Sequence, residues 1–366
     1  MNTTLKFPFY AKFAFIAIGT FAFFCTMYIG QQIILPLIYA TIIAILLNPL
    51  VNFLMQKKIN RVVAISIAVV SAILVTVSLL YFISAQVSLF NETYPKLKEK
   101  FLETSVQAIR WTSKHFNLKP SKINEWIKET ENNTINNMQG AIGRTLSTIN
   151  SILIIVLLLP VYLFMILFYK NLLLEFIRQL FSSTHHVAVF DILLNSKKII
   201  QSYLIGLLVE AAIIATLNSL GLLFLGIDDA IILGVTGALL NVIPYIGGVI
   251  AIALPMIIAY VTKDSSTYAI LVLGVYLLIQ FIDNHFIIPR IVASKVKINA
   301  LISIIVVLIG SALWGIPGMF LSIPLTAILK VIFDHIESLR PWGFLLGNIV
   351  PTSKLKFDFI KKKPRK

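Results

Sequence analysis

Residues 230–262 read AIILGVTGALLNVIPYIGGVIAIALPMIIAYVT, an apolar stretch interrupted at Ile243-Pro244-Tyr245-Ile246-Gly247-Gly248. As one straight helix it would be about 50 Å long, too long for a bilayer core of roughly 30 Å. Split at the break, each half is roughly 20 Å long and too short to cross. A re-entrant helical hairpin, entering and leaving on one side, satisfies both limits. Residues 299–332 pose the same problem, with their break at Trp314-Gly315-Ile316-Pro317-Gly318. Gly237 and Gly310 each stand seven residues before the proline of the break, and Pro255 and Pro324 follow further on. A full span, 201–225 or 268–288, precedes each hairpin. Counting passes, the first hairpin enters from outside and the second from inside, the pattern of an inverted-topology repeat whose half-helix ends hold a substrate near the midplane.

Composition demands the same solvent. Hydrophobic residues make up 58% of the 366 and charged residues only 13%, where a soluble domain has about 45–50% and about 25%. A soluble surface could not hide that excess. The net charge is +15, and the basic residues sit in short loops and tails, as the positive-inside rule expects, rather than on one face as nucleic-acid binding would require. The single cysteine, Cys25, excludes an intrachain disulfide framework and reads as a small core hydrophobe.

Walking outward, further spans are expected at 12–29, 33–55, 62–90 and 151–169, with Gly30-Gln31-Gln32 as a polar turn and residues 56–61 as a basic one. The first span lacks a cleavage site and is read as uncleaved. The organisation is three N-terminal spans (1–90), a small helical extracytoplasmic domain (91–150), a fourth span and polar cytoplasmic connector (151–200), a transport core with the two hairpins (201–333) and a basic cytoplasmic tail (334–366). This is an all-α polytopic membrane protein, about six full spans plus two re-entrant hairpins, with both termini cytoplasmic. Hairpins keep Arg290, Lys295 and Lys297 inside, where single passes would strand them outside.

At the breaks, Pro244 and Pro317 remove backbone donors and Gly247, Gly248, Gly315 and Gly318 permit sharp turns. Freed backbone groups must find protein, water or ligand, since lipid offers none. Asn241, Tyr245 and Trp314 complete the candidate substrate or ion site at the two tips. A structural kink is the plainer alternative. Glu210 and Asp283, with Asn284 beside the latter, are candidate coupling groups, because a carboxylate at membrane depth is expensive and usually functional. A packing role for Glu210 and an interfacial ion pair for Asp283 compete with that reading. Asp228-Asp229 read as N-caps of the following half-helix. His185-His186 lacks a third ligand, so no metal and no cofactor is expected. No HExxH, P-loop or nucleophile–base pair speaks for an enzyme.

Three stretches carry a family resemblance: NVIPYIGGVIAIALP, FIDNHFIIPRIVASKVKINALISIIVVLIGSALWGIPGMFLSIPLTAILKVI and LPLIYATIIAILLNPLVNFL. They resemble the autoinducer-2 exporter family of membrane permeases. The likeness covers most of the chain and is specific from about Ala230 to Ile332. It implies a bacterial cytoplasmic-membrane protein; some members are linked to export of the furanosyl signal autoinducer-2, others to sodium(lithium)/proton antiport. The family pattern falls on Asn241, Pro244, Tyr245, Gly247, Pro255, Asp283, Asn284, Pro289, Gly315, Gly318 and Pro324. Where the family often has a proline, this chain has Lys297-Ile298-Asn299-Ala300. The functions open at this point are a small-solute permease, a cation/proton antiporter and a membrane scaffold binding an extracytoplasmic partner. Expected partners are a small-molecule or ion substrate and the lipid bilayer, without nucleic acid, and with room for a homo-oligomer.

Overall fold

The computed structural model describes residues 8–116, 157–243, 246–263, 265 and 267–348. Those residues are helical apart from turns and one isolated antiparallel bridge between Ile298 and Gly347. Among the described residues six helices are long and apolar enough to cross a membrane, or seven if one bent pair counts as a single span.

The first helix, α1 (Phe9–Ile29), buries none of its residues. Phe13, Ile16 and Phe21 stand exposed, an arrangement that suits lipid and not water. Cys25 is exposed on the same helix, so it is no part of the core. Only Gly30 separates α1 from α2 (Gln31–Gln56), because the glycine N–H still reaches Thr26 O and the two glutamines are already helical. The third helix, α3 (Arg61–Phe116), runs past residue 90 without a break. The polar region from 91 therefore begins as a continuation of the third span, and most of the small domain expected there lies outside the described residues. Next, α4 (Leu157–Phe168) meets α5 (Lys170–Gln179) at 66°. The connector before 201 is largely helical as well, since α6 (His186–Phe224) starts far ahead of its apolar part.

The motif-rich third holds α7 (Ala230–Asn241), α8 (Ile246–Thr262) and α9 (Thr267–Ile282). Two π-helical turns follow, Asp283–Ile287 and Pro289–Ala293, then the short α10 (Ser294–Val296), α11 (Ala300–His335) and α12 (Arg340–Leu346). Ala230 and Leu233, at the start of α7, share a core with Ile258 and Ala259 near the end of α8, so these two helices run antiparallel. Across their mouth Asp228 Oδ2 lies 3.9 Å from Lys263 Nζ. Asp229 adopts φ 56° and neither aspartate caps α7 through its side chain. An N-cap normally has β-region backbone, and the left-handed Asp229 does not supply it.

A straight α11 would extend about 54 Å. Gly315 interrupts it with φ 63° and ψ −142°, backbone that only glycine adopts readily. A Cβ on Gly310 would collide with Ser322 Oγ and Gly318 O, although Ser322 would lie about 18 Å away along a straight helix. The chain has turned back on itself. The two ends confirm the reversal, because Asn299 N–H donates to Leu346 O at 3.1 Å and its Nδ2 to Leu345 O at 2.7 Å and Gly347 O at 3.0 Å. Its Oδ1 caps α11 through Ile302 N at 2.9 Å. The Lys297–Ala300 stretch that departs from the family pattern is thus the anchored start of the second hairpin.

Small residues let the backbones approach: Ala40 and Ala44 of α2 meet Ala64 and Ala68 of α3 beneath Leu163 and Leu167 of α4. A second core joins Leu35 and Ile42 of α2 to Ile200, Tyr203 and Leu204 of α6 and to Trp314 and Leu321 of α11. Pro49 inside α2 leaves Ile45 O without its helical N–H, and Gln201 Nε2 donates to that carbonyl at 2.9 Å.

Candidate functional site

The first hairpin ends beside the carboxylates. Asn241 closes α7 and donates Nδ2 to Asp283 Oδ2 at 2.9 Å. Asp283 is 1% exposed, and its Oδ1 has no partner among the described residues. A half-satisfied buried carboxyl is costly to maintain. The π-turn that begins at Asp283 sets its direction. Pro289 cannot donate to His285 O, and the wider turn absorbs the mismatch.

A cavity of about 200 Å³ opens at this tip. Its polar lining comes from Tyr203 and Glu210 of α6, Asn241 of α7 and Ser303 of α11; Leu207, Val242, Ile288, Val292, Val296, Ile298 and Ile323 supply the rest. Glu210 is 6% exposed and lines the same cavity as Asn241, the hydrogen-bond partner of Asp283. Gly206, one turn before Glu210, lets Ile291 O approach, where a Cβ would sit 2.8 Å away. Gly247 is packed against Leu240 O, and Gly248 faces Gln280 Oε1 and Asn241 Oδ1 across 3.3 and 3.5 Å from its Cβ position. Asn284 is exposed and receives a 3.5 Å contact from Gln280 Nε2, away from the cavity lining. Pro244 and Tyr245 lie outside the described residues.

The second tip is elsewhere. Trp314 Nε1 donates to Met27 O at 3.0 Å, and Tyr39 OH donates to Pro317 O at 3.0 Å. Tyr39 also stacks on Phe320, with ring centroids 6.0 Å apart. Gly318 is pressed against Gly310 O, while Gly315 faces open space. Trp314 and Pro317 thus meet α1 and α2, Gly315 and Gly318 do not line the cavity, and only the arms of the second hairpin, through Ser303 and Ile323, reach it. Sequence reasoning also passed over Asn218 and Thr236. Both are buried with an unpartnered oxygen, and Asn218 Nδ2 and Tyr276 OH flank Gly237 at 3.2 and 3.3 Å from its Cβ position. Their signal was an amide and a hydroxyl inside apolar spans. His185-His186 gathers no further ligand, and no group of three metal-binding side chains occurs among the described residues.

Sequence relatives align with most of the chain. TqsA of Escherichia coli (strain K12), named an AI-2 transport protein, is 27% identical over 89% of this chain and 92% of its own. YueF of Bacillus subtilis (strain 168), named provisionally as a transport protein, is 26% identical over 83% of this chain and 84% of its own. YhhT of Escherichia coli (strain K12), likewise provisionally named, is 25% identical over 89% and 91%. None of these three is named for cation–proton exchange. The model of the AI-2E family transporter matches residues 17–338, and with the helical membrane architecture this establishes that the chain belongs to the AI-2E family of transporters.

Proposed function

We propose that this chain is an inner-membrane permease whose solute site is the cavity at the first hairpin tip, with Asn241, Asp283 and Glu210 as its working groups. The observation that carries the reading is the Asn241–Asp283 hydrogen bond beside a cavity walled by both hairpins. α7–α8 and the folded α11 act as re-entrant hairpins entering from opposite sides, with both termini in the cytoplasm. The polar region from residue 91, which begins within α3, then lies outside. At about 200 Å³ the cavity is below the range of drug-sized pockets and fits a compact solute. Its mix of apolar wall, amide, hydroxyl and carboxyl suits a small hydroxylated molecule. That chemistry agrees with the AI-2 named for TqsA. Gly247 and Gly248 let the chain pack closely at the tip, whereas Trp314 and Pro317 brace the second hairpin against α1 and α2.

Reconstituted protein loaded with autoinducer-2 tests the assignment. Asn241→Ala, which orphans the Asp283 carboxyl, is expected to slow efflux about tenfold or more, the loss of a hydrogen bond to a charged group. Wild-type rates in that variant would remove the site from this cavity. Glu210→Gln, measured with and without a pH gradient, shows whether proton movement accompanies the solute.

A further inference from the structure

The corner where α2, α3, α4, α5 and α6 meet gathers positive charge and donors that no acid among the described residues pairs. Arg61, the first residue of α3, donates Nη2 to Phe168 O at 2.5 Å and Leu167 O at 3.4 Å, and stands 5.4 Å over the Phe168 ring. Lys170, just past the bend between α4 and α5, donates Nζ to Asn48 Oδ1 at 2.9 Å. Lys197 lies one turn before Gln201, whose amide reaches Ile45 O, so it faces the same stretch of α2. Lys197 and Arg61 are the charges that repel the Lys170 ammonium.

None of the three cations makes an ion pair among the described residues. Glu175, the nearest acid along α5, is engaged by Arg178 and Gln179. Asp191 on α6 is exposed and makes no ion pair among the described residues. A second observation sets this corner apart from ordinary loop charge. Asn48 is 5% exposed, its oxygen is taken by Lys170, and its Nδ2 has no acceptor. A buried donor left open among three cations lacks an anionic oxygen ligand.

The depth of the corner identifies that ligand. α5 turns 66° from α4 and leaves Leu172, Leu173 and Phe176 exposed, as an amphipathic helix lying in the membrane interface does. We infer that Arg61, Lys170, Lys197 and the Asn48 amide bind the phosphodiester of an anionic phospholipid headgroup. Basic pockets between helices at that level take such groups, and guanidinium with two ammoniums matches a phosphate's charge and oxygens. The site is independent of the solute reading.

Delipidated full-length protein in neutral detergent tests it by native mass spectrometry and melting temperature. The arms are phosphatidylglycerol, phosphatidylcholine, inorganic phosphate and water-soluble glycerophosphoglycerol. Wild type should retain phosphatidylglycerol and melt higher with it alone. Lys197→Gln, which removes a side chain with no ion pair among the described residues, should weaken retention about fivefold, the contribution of one cation near the surface. Lys198→Gln, an equal charge change on the next face of α6, should leave retention intact, and Lys197→Arg should restore it. Lipid-free melting of each variant separates lost binding from lost folding. Equal loss in the 197 and 198 glutamine variants, or equal retention of phosphatidylcholine, overturns the site. Stabilisation by the two soluble phosphates as strong as by lipid overturns the lipid assignment.

Discussion

The two hairpins carry related sequences but stand in different surroundings. The first ends α7 at Asn241 and starts α8 at Ile246, with the last side chain of α7 on a buried carboxyl. The second reverses at Gly315 and is pinned by Trp314 to Met27 and by Tyr39 to Pro317. One tip faces a cavity and a half-satisfied acid; the other faces packed backbone. Similar breaks can thus serve opposite ends, a place left open for chemistry and a brace for the helices that frame it.

The largest blow to this contrast should come from Gly310→Val. The added side chain would collide with Gly318 O and Ser322 Oγ, and overpacking at a backbone crossing costs about 3 kcal/mol or more. Loss of monodisperse protein on size exclusion is the expected readout. Asp283→Asn comes next. It should cut transport about tenfold while melting changes little, because one amide replaces a carboxyl of the same shape beside Asn241. If transport is unchanged while melting falls sharply, Asp283 belongs to packing and the first tip is a brace too. Gly315→Ala isolates backbone strain, since no atom lies within 4 Å of its Cβ position. A loss of about 1–2 kcal/mol in stability, with transport retained in the folded fraction, is expected. The smallest effect is that of Tyr39→Phe, which removes one hydrogen bond to Pro317 O and should lower stability by about 1 kcal/mol without altering efflux.

Much of this contrast is written locally and some of it is not. Pro244 with Gly247-Gly248, and Gly315 with Pro317, announce broken helices because a missing donor and a free φ act within one turn. The α7 and α8 bounds follow from that. Long-range partners have no such local mark. Nothing near Trp314 tells that its indole reaches Met27, so grouping both tips into one site was natural and the fold separates them. The same holds for α3, whose polar stretch after residue 90 changes solvent but not helical periodicity. The π-turns at Asp283 and Pro289 escape a 3.6-residue reading altogether, and they decide where Asp283 lies. Asp228-Asp229 look like caps by residue type, yet the left-handed backbone of Asp229 leaves the role unfilled.

Pro49 and Gln201 show how an apparent defect can act as an address. Hydrophobic contact in a bilayer tells helices little about which neighbour to choose, because lipid tails compete on equal terms. A carbonyl vacated at Ile45 has few candidates to fill it, and the amide on α6 meets it at 2.9 Å. The proline that weakens α2 thereby selects α6 as its companion, in one register. Pairing information is stored as an absence on one helix and a matching donor on another, 152 positions along the chain from the proline itself.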